Sequence, residues 1–454
     1  MHRLVFSFIG TRPQSGSFLS QANIARRLAL LLMPLIGLAT LLEGSVFWLR
    51  RVGWLQAEQY WRTNEALILQ SGFPADSLET FQYVMSRHAS LHHLDGWFQV
   101  TKYPREMVLV AFVALALLQL SRFRPTARFG IPWAGMALLA AASASAALFA
   151  GQWFALLAGA RSLGAWCIGA FAGPLVDVEV RRRLARVCAW TLLAEAVLAA
   201  MEVRRGMLIY TLKLFDSDMV RVVGTFNLPS SLGVFTVVAC AVAWCWSGYP
   251  RRVLFGLTAV LILLLVVNAS AVAWAALGAI ALALAYSRLR ARWRPLFLAA
   301  VLPIALLGWQ ALPIVTGRWD VQNSLWGRIA PVASYAADHL STRELLFGKG
   351  FGLGTNALGN RSPPLKLVGG LPDGPVGDSM PAALFWQFGL LGVTFAYALF
   401  AVALFVDSSS RAIGIALLVS TIAINITELF PVNLILGFWL ANAAAVSRRS
   451  NEPN

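Results

Sequence analysis

Acidic side chains are scarce in this sequence, with 21 Asp and Glu in 454 residues, and all charged residues together make up only 13% of it. Soluble domains carry about 25% charged residues, so there is too little charge here to cover a water-facing surface of this size. That shortage excludes an ordinary soluble enzyme. Cysteine is rarer still: Cys167, Cys188, Cys240 and Cys245 are the only four, and all lie in or beside apolar runs. Thiols placed that way suggest neither a disulfide framework nor a zinc knuckle, and they read as small packing residues. Of the five histidines, His88, His92 and His93 crowd into "HASLHHLDGW". No second cluster completes a ligand set around them, and the segment reads as a solvated amphipathic helix.

Hydrophobic residues fill 58% of the chain. They form long runs at about 28–49, 106–121, 131–150, 153–175, 187–203, 231–248, 253–269, 271–287, 296–316, 381–405, 412–428 and 430–447. Roughly 20 apolar residues span a bilayer as a helix, so these runs predict an all-α integral membrane protein with about 12 transmembrane helices. The net charge of +16 comes from arginines grouped between the runs. With the N-terminus inside, the inner loops hold Arg122, Arg124 and Arg128, then Arg181, Arg182, Arg183 and Arg186, then Arg251 and Arg252, then Arg288 to Arg294, then Arg411. The short loops near 151, 270 and 429 hold no Lys or Arg, the asymmetry of the positive-inside rule. Arginine here is a topology signal, and no nucleic-acid partner is expected. The boundaries that follow are a cytoplasmic N-terminus over 1–27, a polytopic membrane domain over 28–447 and a cytoplasmic tail over 448–454, with the first run acting as an uncleaved signal anchor.

Three segments are too long and polar to be mere connectors: about 50–105, 204–230 and the large loop near 317–380, all predicted on the outer side. They hold cations where the positive-inside rule does not place them: Arg204, Arg205, Lys213 and Arg221 in one, and Arg318, Arg328, Arg343, Lys349, Arg361 and Lys366 in another. A guanidinium presents planar, bidentate donors that match phosphate oxygens, so an anionic ligand is expected there. The alternative is pairing with Asp216, Asp218, Asp320 and Glu344, or simple solvation. Inside the spans, Arg161 and Glu195 fall in neighbouring runs, where an ionisable residue is costly. They read either as an ion pair with each other or as groups lining a lipid groove.

Three stretches give this pattern a family context: "RVVGTFNLPSSLG" before a membrane helix, "NSLWGRIAPVASYAADHLSTRELLFGKGFG" in the large loop, and "GDSMPAALFWQFGLLGV" re-entering the membrane. Together, and in this order over roughly 185–440, they resemble the O-antigen ligase and Wzy-type polysaccharide polymerase superfamily. The resemblance implies a helical membrane glycosyltransferase of the C type in a bacterial inner membrane, both termini cytoplasmic, with a periplasmic loop over an outward-facing cavity. It implies an undecaprenyl-pyrophosphate-linked saccharide donor, a saccharide acceptor, and a chain-length regulator and a flippase as partners alongside the membrane lipids. By the same carry-over, Arg221 and Arg328 hold the donor pyrophosphate, with Arg318 and Lys213 as further cations of the same loops. Ligases typically have a histidine before the helix that follows the large loop, where this chain has Asp378 and Ser379, and many have an arginine near the turn that here reads "NASAVAW" with Asn268 and Ser270. Both differences favour a polymerase. A ligase that transfers glycan to a lipid A core remains an alternative, as does a flippase or transporter.

Glycosyl transfer from a pyrophosphate requires a neutralised leaving group and an aligned acceptor hydroxyl. Cations supply the first and a carboxylate can supply the second. Asp378 is the leading base and His339, in "YAADHLS", the second. For Asp378 or Ser379 the competing role is a helix N-cap before "MPAALFW". With cations carrying the charge, neither a metal nor another cofactor is expected.

Overall fold

The computed structural model describes residues 23–42, 45, 89–122, 125–205, 222–226, 229–316, 330–353 and 379–450. Arg221, Arg328, Arg318, Lys213 and Asp378 lie outside these residues. Among the described residues the chain is helical, without a strand. The helices are α1 (Asn23–Leu42), α2 (Ala89–Leu117), α3 (Ala127–Phe149), α4 (Trp153–Phe171), α5 (Val178–Arg205), α6 (Pro229–Trp246), α7 (Arg251–Asn268), α8 (Ala271–Arg288), α9 (Arg294–Thr316), α10 (Ala330–His339), α11 (Thr342–Phe347), α12 (Met380–Val406), α13 (Arg411–Thr421) and α14 (Val432–Arg449). Each predicted apolar run coincides with one of them, and α10 and α11 lie within the large loop. Seven are long and apolar enough to cross a membrane: α1, α3, α4, α5, α7, α8 and α12.

Large apolar side chains also cover the outside, including Met107, Leu138, Leu157, Leu263, Leu307 and Phe405. A soluble protein does not display apolar surface on this scale, whereas a bilayer solvates it. The protein is therefore an all-helical, membrane-embedded chain. From Ala89 onward "HASLHHLDGW" is helix, as expected, and it opens α2, which runs through Pro104 without ending.

Inside a bilayer the lipid tails are as apolar as leucine, so helices associate by close van der Waals packing between small residues. The α4–α14 pair shows this. Gly437 faces the Ala165 carbonyl and Ile168, and Gly169 faces Leu440, so added side chains at either glycine would collide with the partner helix. Residues Val432 to Ala443 of α14 are all buried, making this helix the centre of one group with α2, α3, α4 and α12. In the second group α6 is central, packed by α5, α7, α8 and α13. Helix α13 joins the two groups by packing on α12 as well.

Polar contacts sort the helix ends. Arg26 of α1 pairs with Asp177 and Glu179 at the start of α5. Thr126 before α3 meets Ser447 of α14 at 3.0 Å, and Asn442 of α14 donates to Asp407 after α12. One end of the bundle thus collects Arg26, Asp177, Arg181, Asp407, Arg411 and Arg449. The opposite end holds the polar groups that follow.

Candidate functional site

The first cluster explains why "VVGTF" is written as it is. Helix α5 buries two carboxylates seven residues apart, Glu195 at 0% and Glu202 at 1% exposure. Seven residues is two helical turns, which puts both on one face. Segment 222–226 lies against that face and supplies the donors. The Val223 and Gly224 N–H groups donate to Glu202 Oε2 at 2.9 and 3.3 Å, the Thr225 N–H donates to Glu195 Oε2 at 2.8 Å, and the Thr225 hydroxyl donates to Glu195 Oε1. Gly224 has φ +57°, and a Cβ there would lie 2.1 Å from Glu195 Oε2. Only glycine adopts that conformation without strain and lets the carboxylate approach so closely. Phe226 then stacks on Phe235 of α6, with centroids 5.1 Å apart.

The other side of the segment is held by the α7–α8 turn. The Val222 N–H donates to the Val267 carbonyl at 3.2 Å, and Asn268 Nδ2 donates to the Val222 carbonyl at 2.7 Å. Ala269 turns the chain in the left-handed region, φ 51°, so that α8 can start two residues later. The residue after Arg221 is therefore bonded through both its N–H and its carbonyl. Beside Thr225, Leu41 of α1 and Ala194, Val197 and Leu198 of α5 line an apolar groove of about 460 Å³.

A broken helix forms the second cluster. Gly389 interrupts α12 with φ 64° and ψ −163°, which frees the Trp386 carbonyl from the helical ladder. The glycine-rich turn "FGKGFG" fills the gap. The Lys349 N–H donates to the Trp386 carbonyl at 2.8 Å, the Gly352 N–H donates to Gln387 Oε1 at 3.2 Å, and the Lys349 ammonium lies 5.7 Å from the Trp386 ring centre. Ser162 of α4 donates to the same Gln387 oxygen at 3.3 Å. Phe351 packs 6.1 Å from Phe388. A Cβ on Gly389 would lie 2.3 Å from the Leu346 carbonyl carbon, so the break and the docked turn require each other.

Next to Ser162, Arg161 forms an ion pair, but not with Glu195. Its partner is Glu106 of α2 at 3.0 Å, and Arg105 pairs with the same carboxylate at 2.9 Å. Arg161 also donates to the Glu428 carbonyl at 3.5 Å, in the non-helical stretch 422–431 that joins α13 to α14. Arg161 lies ten residues from the end of α4 and Glu106 eleven residues from the end of α2, so both belong to the helices themselves and not to their caps. In the same stretch Thr427 donates to Asn425 Oδ1 at 2.6 Å, while the buried Asn425 Nδ2 has no partner among the described residues.

The remaining sequence-derived residues are placed as follows. Ser379 caps α12: its hydroxyl accepts the Ala382 N–H at 3.4 Å, while Asp378 lies outside the described residues. His339 is exposed in the last turn of α10, where a cation complements the carbonyl end of a helix. Just beyond it, Ser341 and Glu344 form a reciprocal capping box at the start of α11. The Ser341 N–H, then its hydroxyl, hold the Glu344 carboxyl below the usual range. Glu202, Glu106, Arg105 and Gln387 were not singled out from the sequence. For Glu202 the signal was there, two carboxylates on one face of an apolar run. Gln387 gave none. No family model matches the chain, and no curated protein is detectably similar to it.

Proposed function

We propose that the protein is a membrane glycosyltransferase working on the side opposite its arginine-rich end, where it extends a polysaccharide from an undecaprenyl-pyrophosphate-linked donor. In this reading the chain crosses a bacterial inner membrane about twelve times, both termini are cytoplasmic, and the large loop is periplasmic. One observation carries it: "FGKGFG" and "WQFGLLG", two of the stretches that resemble the polymerase superfamily, are bonded together at the break in α12, so the large loop is anchored on the membrane helices. The clasp of Glu195 and Glu202 on segment 222–226 supports it further, because it fixes the backbone next to Arg221. The apolar groove beside Thr225 suits a polyprenyl tail.

The chemistry is a displacement at the anomeric carbon. An acceptor hydroxyl oxygen forms the new glycosidic bond as the bond to the pyrophosphate oxygen breaks. Arg221 and Arg328, with Arg318 and Lys213 nearby in their loops, neutralise the departing undecaprenyl pyrophosphate. The hydroxyl proton passes to Asp378, which directly precedes the cap of α12, with His339 as the second base. The test is elongation of a lipid-linked repeat unit by purified protein. Arg221→Lys and Arg328→Lys keep the charge but lose the bidentate fork, and each is expected to slow chain growth by about tenfold or more, the equivalent of roughly 1.5–3 kcal/mol. Asp378→Asn is expected to abolish growth. Wild-type growth in all three variants refutes the assignment, and transfer of a single chain to a lipid A core makes the protein a ligase.

A second reading rests on the interrupted α12, the non-helical stretch 422–431 and the Arg161–Glu106 pair between helices, features of the kind that transporters use at their binding sites. Proteoliposomes separate the two. Movement of lipid-linked saccharide across the bilayer without new glycosidic bonds establishes transport.

A further inference from the structure

Helices α8 and α12 both pack on α13 but barely touch each other. The gap between them is a groove of about 590 Å³, floored by Ile415 and Leu418 and walled by Ala283 and Tyr286 on one side and Phe400 and Leu404 on the other. Arg411, the first residue of α13, lines the groove at the arginine-rich end. Its Nε donates to the Leu404 carbonyl at 3.1 Å, which fixes the guanidinium against one wall. At the other wall the Arg294 guanidinium lies 5.4 Å from the Tyr286 ring centre. Among the described residues no carboxylate lies within ion-pair distance of either arginine. Two cations with unspent donors thus stand at the mouth of an apolar slot.

From Arg411 to Leu418 the floor rises seven residues, about 10 Å at the helical rise. Apart from Arg411 and the Tyr286 and Tyr397 hydroxyls the lining is apolar, which suits a hydrocarbon chain, and a phosphodiester at its head matches two guanidinium groups in charge and donor geometry. We propose that this groove binds one anionic glycerophospholipid, with an acyl chain along Ile415 and Leu418 and its phosphate between Arg411 and Arg294. The site takes a resident lipid from the leaflet at the arginine-rich end. It is separate from the clusters at the opposite end.

Native mass spectrometry of the full chain in a nonionic detergent tests this, with dioleoyl phosphatidylglycerol and dioleoyl phosphatidylcholine titrated in parallel. The wild type is expected to retain one phosphatidylglycerol in preference to phosphatidylcholine. Arg411→Gln and Arg294→Gln should each weaken that retention about tenfold, the scale of a lost hydrogen bond to a charged group. Ala283→Trp, which fills the slot but leaves both arginines, should remove the adduct, while the exposed Arg290→Gln should not change it. Should Arg411→Gln not fold, the exposed Arg294 variant decides the matter alone. Equal retention of the two lipids, wild-type binding by Arg294→Gln or by Ala283→Trp, or dimers in place of lipid adducts would each overturn the proposal.

Discussion

At the arginine-rich end, Asp407 is 2% exposed and is held mostly by its own neighbours: the Ser409 and Ser410 N–H groups donate to it at 3.1 and 3.3 Å, both hydroxyls bond it as well, and Asn442 of α14 adds one long-range donor. At the opposite end Glu195 is equally buried, but its partner Thr225 is 30 residues away, and Gln387 is shared by Gly352, 35 residues away, and Ser162, 225 residues away. The burial is similar and the wiring is not. Locally capped groups form as soon as their own turn does. Long-range clasps form only when whole helices have packed, and they place positive-φ glycines and ionisable groups together. Structures of that kind tend to hold reactive or binding segments in position, whereas local caps simply end helices.

The sharpest way to break this contrast is Gly389→Ala. A methyl group there combines a positive φ with a 2.3 Å clash against the Leu346 backbone, and the expected cost is about 3 kcal/mol or more from strain and overpacking. The thermal midpoint in detergent should fall sharply, and protease should cut between 330 and 353. A wild-type midpoint would show that the docked turn does not depend on the break.

Next in size is the pair Glu195→Ala and Asp407→Ala. The first leaves the Thr225 N–H and hydroxyl unpaired inside the bundle, at about 2–4 kcal/mol. The second removes a cap near a helix end, at about 0.5–2 kcal/mol, and takes one acceptor from the Asn442 amide. Thermal unfolding of the two variants side by side checks the order, and a larger loss for Asp407 would reverse it. Ser379→Ala should cost about 1 kcal/mol as a lost N-cap, whereas Asp378→Asn should leave the melting temperature unchanged. A destabilised Asp378→Asn with a silent Ser379→Ala would transfer the capping role to Asp378.

The smallest effect is expected from the partly exposed ion pair at Asp177. Burial by itself raises this carboxyl, but the Val180 N–H and the Arg26 guanidinium outweigh it and hold it below the usual range. A depressed value means that the contribution is complete above the ordinary carboxyl range and is lost as pH falls through the lowered one. Exposed pairs contribute about 0–1 kcal/mol. Unfolding of Asp177→Asn and wild type should thus differ slightly at neutral pH and converge only as pH falls through the lowered value, below the unperturbed Asp value near 3.9. A gap that persists in acid would assign the effect to packing.

Apolar runs located every described helix that is long and apolar enough to cross a membrane, because apolar length is a local property read directly from residue order. They also marked "VVGTF" and "FGKGFG" as unusual, since glycine beside polar residues at the edge of an apolar run has few regular uses. Residue order did not reveal which groups would meet. Arg161 and Glu195 sit in consecutive spans, yet α4 packs on α2 and α14 while α5 packs on α6, so each charge found a different partner: Glu106 for the one, Thr225 for the other. A buried charge takes whatever complementary group the packed helices bring within about 3 Å, and that is settled by the fit of small residues such as Gly437 and Gly169 between helices distant in sequence. The break at Gly389 has the same origin. It exists because a turn from another part of the chain occupies the gap and bonds the carbonyl that the break leaves open.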